Sequence, residues 1–169
     1  EDGYLPSSFT HRDVSGEAAE TCRNWLFKVS GVRDLLPRLL VELALLRCYR
    51  FIPGPSFKSI MTRLAGLCRG IAHPLVGAYL RAYMVRKGWD LLRSGQKADG
   101  GFCDPSFMLT AVEDQLTLVG NATGARFYAG EEAVGMGGGV QAYAALFVPA
   151  LEWSMSCCYH SYDFAGTAK

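Results

Sequence analysis

The hydrophobic pattern of the chain is strongest between residues 35 and 51. Five of these seventeen positions are not apolar, namely Pro37, Arg38, Glu42, Arg47 and Arg50. A helix that is apolar on nearly every side has to be covered on more than one face. The segment is therefore predicted to be an inner helix of a helical stack.

Two charged side chains of this segment, Arg38 and Glu42, lie four positions apart and so share one side of the helix. Arg47 and Arg50 point in other directions. We interpret Arg38 and Glu42 as a polar window on an otherwise buried helix, and this window as the candidate docking site of the chain. The alternative is an intrahelical ion pair that faces water.

Apolar residues at spacings of three and four predict three more helices in the first 92 residues. The first begins at Glu17 and ends near Gly31, the second covers residues 56–70, and the third begins at His73 and runs through Trp89. The predicted helix caps are Asp34, Ser56 and His73.

Four helices joined by short turns form two antiparallel hairpins. The hairpins recur after roughly 38 residues, which is near the HEAT-type period. A hairpin of this kind buries its apolar face mainly against the next hairpin. The sequence therefore predicts an all-α fold, a HEAT-like α-solenoid of antiparallel helical hairpins.

The second half of the chain has a different composition, with polar and glycine-rich stretches. Helical spacing predicts further helices at residues 106–119 and 149–159, and residues 120–140 are predicted to be a long, mobile, glycine-rich loop. The predicted organisation is an extended lead-in (1–16), two hairpin repeats (17–92), a helix with a flexible glycine-rich insert (93–145), a further solenoid helix (146–160) and a tail (161–169).

Charge and cysteine content argue against several classes of function. The chain has 17 basic and 16 acidic residues, so no nucleic acid is expected as a partner. Its six cysteines form no CxxC pair and no spacing suited to zinc, which predicts reduced thiols, a cytoplasmic location and no metal or cofactor. Arg81, Arg86 and Lys87 are interpreted as a solvated basic face.

No constellation of catalytic residues is evident, so the chain is predicted not to be an enzyme. The three histidines are spread along the chain, and His73, which precedes a proline, is interpreted as a capping or packing residue. One alternative stays open: a small thiol-dependent helical enzyme that uses Cys157, Cys158 and His160.

Three stretches resemble a known family. They are residues 20–28 (Glu-Thr-Cys-Arg-Asn-Trp-Leu-Phe-Lys), residues 33–42 (Arg-Asp-Leu-Leu-Pro-Arg-Leu-Leu-Val-Glu) and residues 68–83, which open with Cys-Arg-Gly-Ile-Ala-His-Pro-Leu. These are similar to the N-terminal part of the vacuolar protein sorting 35 superfamily. The first stretch and residues 149–153 (Pro-Ala-Leu-Glu-Trp) are more similar to its vacuolar protein sorting 35-like branch, the large subunits of the Retriever complex, than to the retromer large subunit, which remains the alternative.

The resemblance implies a non-enzymatic scaffold on endosomes that helps return membrane cargo proteins to the cell surface. It implies two partners, an arrestin-fold subunit of the vacuolar protein sorting 26 type and a phosphoesterase-fold subunit of the vacuolar protein sorting 29 type. Membrane association would be peripheral and would run through these partners. Because family members are several-fold longer, we expect the chain to be an N-terminal fragment without the site for the phosphoesterase-fold subunit.

The resemblance also implies a site. In the family, a Pro-Arg-Leu-Tyr-Leu motif supports binding of the arrestin-fold subunit, and here it falls on Pro37, Arg38, Leu39, Leu40 and Val41. Glu42 follows directly and completes the expected partner-binding set. The last two motif positions read Leu40-Val41, so their apolar character is kept while the tyrosine hydroxyl is absent.

Overall fold

The computed structural model describes residues 5, 9–54, 56–93, 105–129 and 139–166. In the range 105–129 the side chains are described up to residue 124, and in the range 139–166 they are described up to residue 161. Within these ranges all regular secondary structure is helical, which confirms the predicted all-α class. The elements are a 3₁₀ turn (His11–Asp13), α1 (Gly16–Ser30), α2 (Leu35–Ala44), a 3₁₀ helix (Leu46–Phe51), α3 (Phe57–Cys68), α4 (Pro74–Arg93), α5 (Ser106–Ala129), α6 (Gly139–Ala145) and α7 (Val148–Gly166).

The helix boundaries follow from local hydrogen bonding. Ser56 caps α3 by accepting a hydrogen bond from the backbone N–H of Ser59 at 3.3 Å, and His73 caps α4 by accepting one from the N–H of Val76 through Nδ1 at 3.4 Å. Asp34 is the N-cap of α2 by backbone conformation, without a side-chain hydrogen bond. These three caps lie where the sequence predicts them.

The helices stack as successive hairpins. Helix α1 packs on α2, α3 packs on α4, and α5 packs on α7. Helix α4 also contacts α2, α5 and α7, so neighbouring hairpins share one continuous core. This is an α-solenoid of stacked hairpins, as predicted.

The inner helix of the stack is α4, whereas the sequence pattern points to α2. Ten of the twenty residues of α4 are buried, and four of these are glycine or alanine. Small side chains let neighbouring helices approach closely. At Gly88 a Cβ atom would lie 2.5 Å from the ring of Phe107 on α5.

Helix α2 is also shorter than predicted. It ends at Ala44, and the rest of the predicted rod is the 3₁₀ helix Leu46–Phe51. The 3₁₀ helix contacts both α1 and α4. The tighter 3₁₀ helix turns the chain so that its apolar residues contact both α1 and α4. This explains why the segment is apolar on several sides although it does not form one fully enclosed helix.

The second half of the chain contains more helix than the sequence predicts. Helix α5 continues to Ala129 where a loop was expected from residue 120, α6 was not predicted, and α7 extends seven residues past the expected end at 159. Val119 and Ala122 pack against the cluster of Phe147 and its alanine neighbours, and such packing outweighs the low helix propensity of Gly120 and Gly124. The rest of the expected mobile insert, residues 94–104 and 130–138, lies outside the described residues.

None of the described helices combines the length and the apolar character that a membrane crossing requires.

Candidate partner-binding surface

Helix α2 has one side in the core and one side on the surface. Leu39 and Leu43 are fully buried. The opposite side carries Pro37, Leu40, Val41 and Ala44, all exposed, at spacings i, i+3, i+4 and i+7. We call these four residues the α2 stripe.

The α2 stripe is apolar although it faces solvent. Leu40 is 43% exposed and Val41 is 44% exposed. Four apolar side chains at these spacings form the kind of surface that one helix presents to another protein. The predicted site therefore divides into two sets, with Pro37, Leu40 and Val41 at the surface and Leu39 in the core.

Glu42 lies in the core as well. It is only 4% exposed and is hydrogen-bonded to Arg63 of α3 and, at 2.7 Å, to the hydroxyl of Tyr49. Arg63 also donates to the Tyr49 hydroxyl at 2.9 Å. The predicted open polar window is thus wrong for Glu42, and so is the alternative of an intrahelical pair in water, because its partners come from outside α2.

The bonds around Glu42 set its charge state. Burial alone would raise the pKa of the Glu42 carboxyl, but hydrogen bonds from Arg63 and Tyr49, together with the charges of Arg63 and Arg38, lower its pKa below the ordinary value. Burial and the hydrogen bond to Glu42 raise the pKa of Tyr49 to about 12. Glu42 is therefore ionised and Tyr49 protonated at neutral pH.

Two buried polar atoms of α2, one on Arg38 and one on Glu42, have unused hydrogen-bonding capacity. Neither Nε of Arg38 nor Oε2 of Glu42 has a hydrogen-bond partner in the described part of the chain. Buried polar atoms are nearly always paired in native proteins.

Comparison with known proteins decides the family. A family model described as VPS35L matches residues 2–123, a range that includes the whole of α1 to α4. The chain belongs to the VPS35L family. This confirms the resemblance described above.

Several VPS35L relatives are similar over most of the chain. A zebrafish protein (Danio rerio), "VPS35 endosomal protein-sorting factor-like", is 33% identical over 168 residues, which is 90% of this chain and 15% of the relative. The human protein of that name is 32% identical over 159 residues, again covering 15% of its length. The chain thus spans about 15% of the length of these relatives.

A match to a relative of a different name is shorter. "Vacuolar protein sorting-associated protein 35" of Schizosaccharomyces pombe is 37% identical over 98 residues, which is 52% of this chain and 12% of the relative. The VPS35L relatives cover about nine-tenths of the chain, so the VPS35L branch accounts for more of the sequence.

Residues 68–75, which open the third stretch of the resemblance to the superfamily, run from the end of α3 through the turn into α4. Gly70 lies against α2, where a Cβ atom would be 2.7 Å from Cδ2 of Leu35. His73 caps α4 as described above. Arg69 is bidentate to Asp114 of α5, with distances of 3.0 to 3.3 Å. Through these contacts the turn connects α2, the hairpin of α3 and α4, and α5.

Sequence reasoning missed a buried polar cluster between α4 and α5. Arg81 is buried, its Nη1 donates to the carbonyl of Gly77 at 3.0 Å, and its Nε lies 3.6 Å from Asp114. Gln115 donates to the carbonyl of Ala78 at 2.8 Å. The prediction that Arg81 belongs to a solvated basic face is wrong. The sequence pattern offered one signal of this burial, since Arg81 lies within an otherwise apolar helix surface.

The thiol alternative is not supported by the surroundings of its residues. Burial raises the pKa of both Cys157 and Cys158, with a smaller opposing effect of Arg86 at Cys157. A nucleophilic cysteine requires a lowered pKa. His160 is exposed and its ring packs edge-on against Tyr159 at 5.7 Å.

No group of three or more histidine, cysteine, aspartate or glutamate side chains in the described ranges could hold a metal ion. The described thiols at Cys22, Cys48, Cys68, Cys157 and Cys158 are free.

Proposed function

We propose that this chain is part of a non-enzymatic scaffold subunit of an endosomal cargo-recycling complex of the Retriever type. Two findings support the proposal. The chain belongs to the VPS35L family, whose relatives carry the name endosomal protein-sorting factor-like. Its fold is an α-solenoid, an architecture that presents extended surfaces to other proteins.

Within this function, α2 binds an arrestin-fold subunit through Pro37, Arg38, Leu39, Leu40, Val41 and Glu42. The observation that carries this proposal is the α2 stripe, an exposed apolar row on the helix that holds the family motif. Leu40 and Val41 supply contact area, and Nε of Arg38 supplies a hydrogen-bond donor. Leu39 and Glu42 hold the helix in position from the core side.

The test compares two leucines of equal exposure. Leu40 on α2 and Leu109 on α5 are both 43% exposed, so Leu40→Glu and Leu109→Glu make the same chemical change on two different helices. We expect Leu40→Glu to weaken capture of the purified arrestin-fold subunit at least about tenfold, because an interface centre tolerates no unpaired charge. Leu109→Glu should bind like the wild type.

Circular dichroism distinguishes loss of binding from loss of fold, and both variants should keep wild-type helical content. Arg38→Ala should also reduce capture without changing helicity. Equal capture by the wild type and Leu40→Glu would overturn the assignment of the site to α2. Capture lost equally in both leucine variants would show that exposed leucines in general, and not α2, matter for binding.

The remaining features of the complex are proposed from the family. A phosphoesterase-fold subunit would bind the scaffold outside this chain, and association with the endosomal membrane would be peripheral, through partners. A retromer large subunit is the second candidate, supported by the Schizosaccharomyces pombe match. The identity of the captured arrestin-fold paralogue separates the two candidates.

A further inference from the structure

Two cysteines that are distant in the sequence meet where α1 packs on the 3₁₀ helix Leu46–Phe51. Cys22 belongs to α1 and Cys48 to the 3₁₀ helix, and these two elements are in contact. A side-chain hydrogen bond joins the two thiols. Both thiols are free and partly exposed. They therefore lie next to each other and within reach of solvent.

The segment that carries Cys48 is held in place by the residues that follow it. The hydroxyl of Tyr49 donates a hydrogen bond to Glu42 at 2.7 Å. The guanidinium of Arg50 lies 4.0 Å from the centre of the Phe9 ring and donates to the Phe9 carbonyl at 2.6 Å. These contacts do not involve the thiol, so the fold itself keeps Cys48 beside α1.

Among the described thiols, Cys22 and Cys48 are the pair best placed to form a bond. Cys68 is buried, and Cys157 and Cys158 are consecutive residues of α7. Side chains of consecutive helical residues point about 100° apart, so a bond between Cys157 and Cys158 would require the helix to open.

The hydrogen bond gives the two thiols of the pair different roles. Burial raises the pKa of Cys48, and the interaction with Cys22 raises this pKa further, so Cys48 keeps its proton and is the donor. The thiolate is the form that attacks a disulfide. Cys22 is therefore the thiol that reacts first, and Cys48 is the thiol that closes the bond.

We infer that Cys22 and Cys48 are an oxidation site, at which a low-molecular-weight disulfide converts the two thiols into a reversible intramolecular disulfide. Cys22 releases its proton to solvent, and its thiolate attacks the small disulfide, forms a mixed disulfide and expels one small thiolate. Cys48 then releases its proton and attacks the sulfur of Cys22, which expels the second small thiolate. Two protein thiols are oxidised and one small disulfide is reduced to two thiols, so the electrons balance.

The new bond encloses α2. Cys48 lies 26 positions after Cys22, and the whole of α2 falls between them. Closing a loop of this length restricts the unfolded chain more than the folded chain. The oxidised chain should therefore resist unfolding and hold α2 against α1. The inference concerns this chain alone and does not depend on the partner proposed for α2.

Peptide mapping of the complete chain after treatment with glutathione disulfide tests the inference. Trypsin cleaves after lysine and arginine, so the expected bond joins the peptide 13–23 to the peptide 48–50. We expect this linked pair to be the main cross-linked product of the folded chain and to disappear on reduction with dithiothreitol. A folded chain in which another pairing dominates, or which carries only glutathione adducts, would overturn the inference.

The same treatment in urea shows whether the fold directs the pairing. The unfolded chain should give mixed pairings, because nothing then brings Cys22 and Cys48 together. Identical products from the folded and the unfolded chain would count against a site built by the fold.

Three serine variants test the roles of the thiols. Cys48→Ser should stop at a glutathione adduct on Cys22. In Cys22→Ser, we expect Cys48 to react at least about tenfold more slowly than Cys22 does in the wild type. Cys158→Ser removes another partly exposed thiol and should form the bond like the wild type. Equally fast modification of Cys48 in Cys22→Ser would overturn the assigned order of attack.

Thermal unfolding followed by circular dichroism measures the effect of the bond. We expect oxidation to raise the midpoint temperature of the wild type by at least about 5 °C, whereas Cys48→Ser should show no such rise. The reduced variants should keep wild-type helical content, because serine is close to cysteine in size and all three thiols are partly exposed. An oxidised wild type that unfolds at or below the temperature of the reduced chain would overturn the inference, since the bond would not fit the native fold.

Discussion

Glu42 of α2 accepts a hydrogen bond from Arg63 of α3, so an ion pair between a buried carboxylate and a partly exposed guanidinium joins the first hairpin to the second. Glu42 lies on the core side of α2, away from the α2 stripe. Tyr49 of the 3₁₀ helix bonds to both charged groups and completes the cluster. The orientation of the proposed partner-binding helix thus depends on a contact between hairpins and not on α2 alone.

Replacing Glu42 by glutamine should destabilise the fold. The substitution keeps the side-chain shape but leaves Arg63 without its anionic partner, and loss of a charge-assisted bond of this kind costs about 1–3 kcal/mol. Because Arg63 is partly exposed, we expect a value in the lower part of that range. Urea unfolding at neutral pH measures it, and an unchanged free energy of unfolding would show that the pair adds nothing to stability.

The same residue predicts how stability depends on pH. The pKa of Glu42 is lower in the folded chain than its ordinary value of 4.5, so its contribution is fully present above that pH and is lost as pH falls through the lower, folded value. The wild type should therefore lose stability below about pH 4.5 more steeply than Glu42→Gln. Parallel pH profiles of the two proteins between pH 6 and pH 3, measured as free energies of unfolding, would contradict the assignment of this titration to Glu42.

Gly88 and Gly120 should respond oppositely to alanine. At Gly88 the new methyl group would lie 2.5 Å from the Phe107 ring, which is buried and packs edge-on against Phe57 at 5.7 Å, so the ring has little room to move. We expect Gly88→Ala to cost about 1–3 kcal/mol through overpacking. Gly120→Ala, with nothing within 4 Å, should gain up to about 1 kcal/mol of helix propensity.

Thermal unfolding followed by circular dichroism measures both changes. A Gly88→Ala variant as stable as the wild type would mean that α4 and α5 can separate without cost.

The thiols of Cys68, Cys157 and Cys158, of which the first two are buried and the third is partly buried, should be unreactive. Burial raises the pKa of Cys68 to about 11, with a smaller opposing effect of Arg81, and burial also raises the pKa of Cys157 and Cys158. The thiolate is the reactive form, so these three cysteines should react slowly with a disulfide reagent at neutral pH and quickly after unfolding in urea. Mass spectrometry of the labelled chain identifies the sites. Rapid labelling of Cys157 or Cys158 in the folded chain would contradict this prediction and support the alternative of a thiol-dependent enzyme.

Local features of the fold could be predicted from the sequence. The caps at Ser56 and His73 and the end of α1 near Gly31 depend on backbone groups only a few residues away, so the residue types were sufficient to locate them. Gly31 closes α1 in a right-handed conformation, with a φ of −81°, and its backbone N–H donates to the carbonyls of Lys28 and Val29.

The candidate site could be predicted only in part. The periodic pattern and the family motif both pointed to α2, but the division of its residues between core and surface was not predictable from α2 itself. Glu42 is buried because Arg63 and Tyr49 meet it there, and these residues are 21 and 7 positions away along the chain. Leu40 and Val41 are exposed because no described helix covers that side of α2, whatever their hydrophobicity.

By itself, the amino-acid sequence determined that the chain forms helices, where most of the early helices begin, and which family it resembles. These properties follow from the hydrophobic periodicity, the helix-capping residues and the short sequence motifs of the chain. Only the tertiary structure decided that α4 is the inner helix, that Arg81 is buried beside Asp114, and that α5 continues through two glycines. The physical reason is that burial and ion pairing arise from contacts between distant segments, and these contacts can outweigh both the polarity and the helix propensity of a single residue.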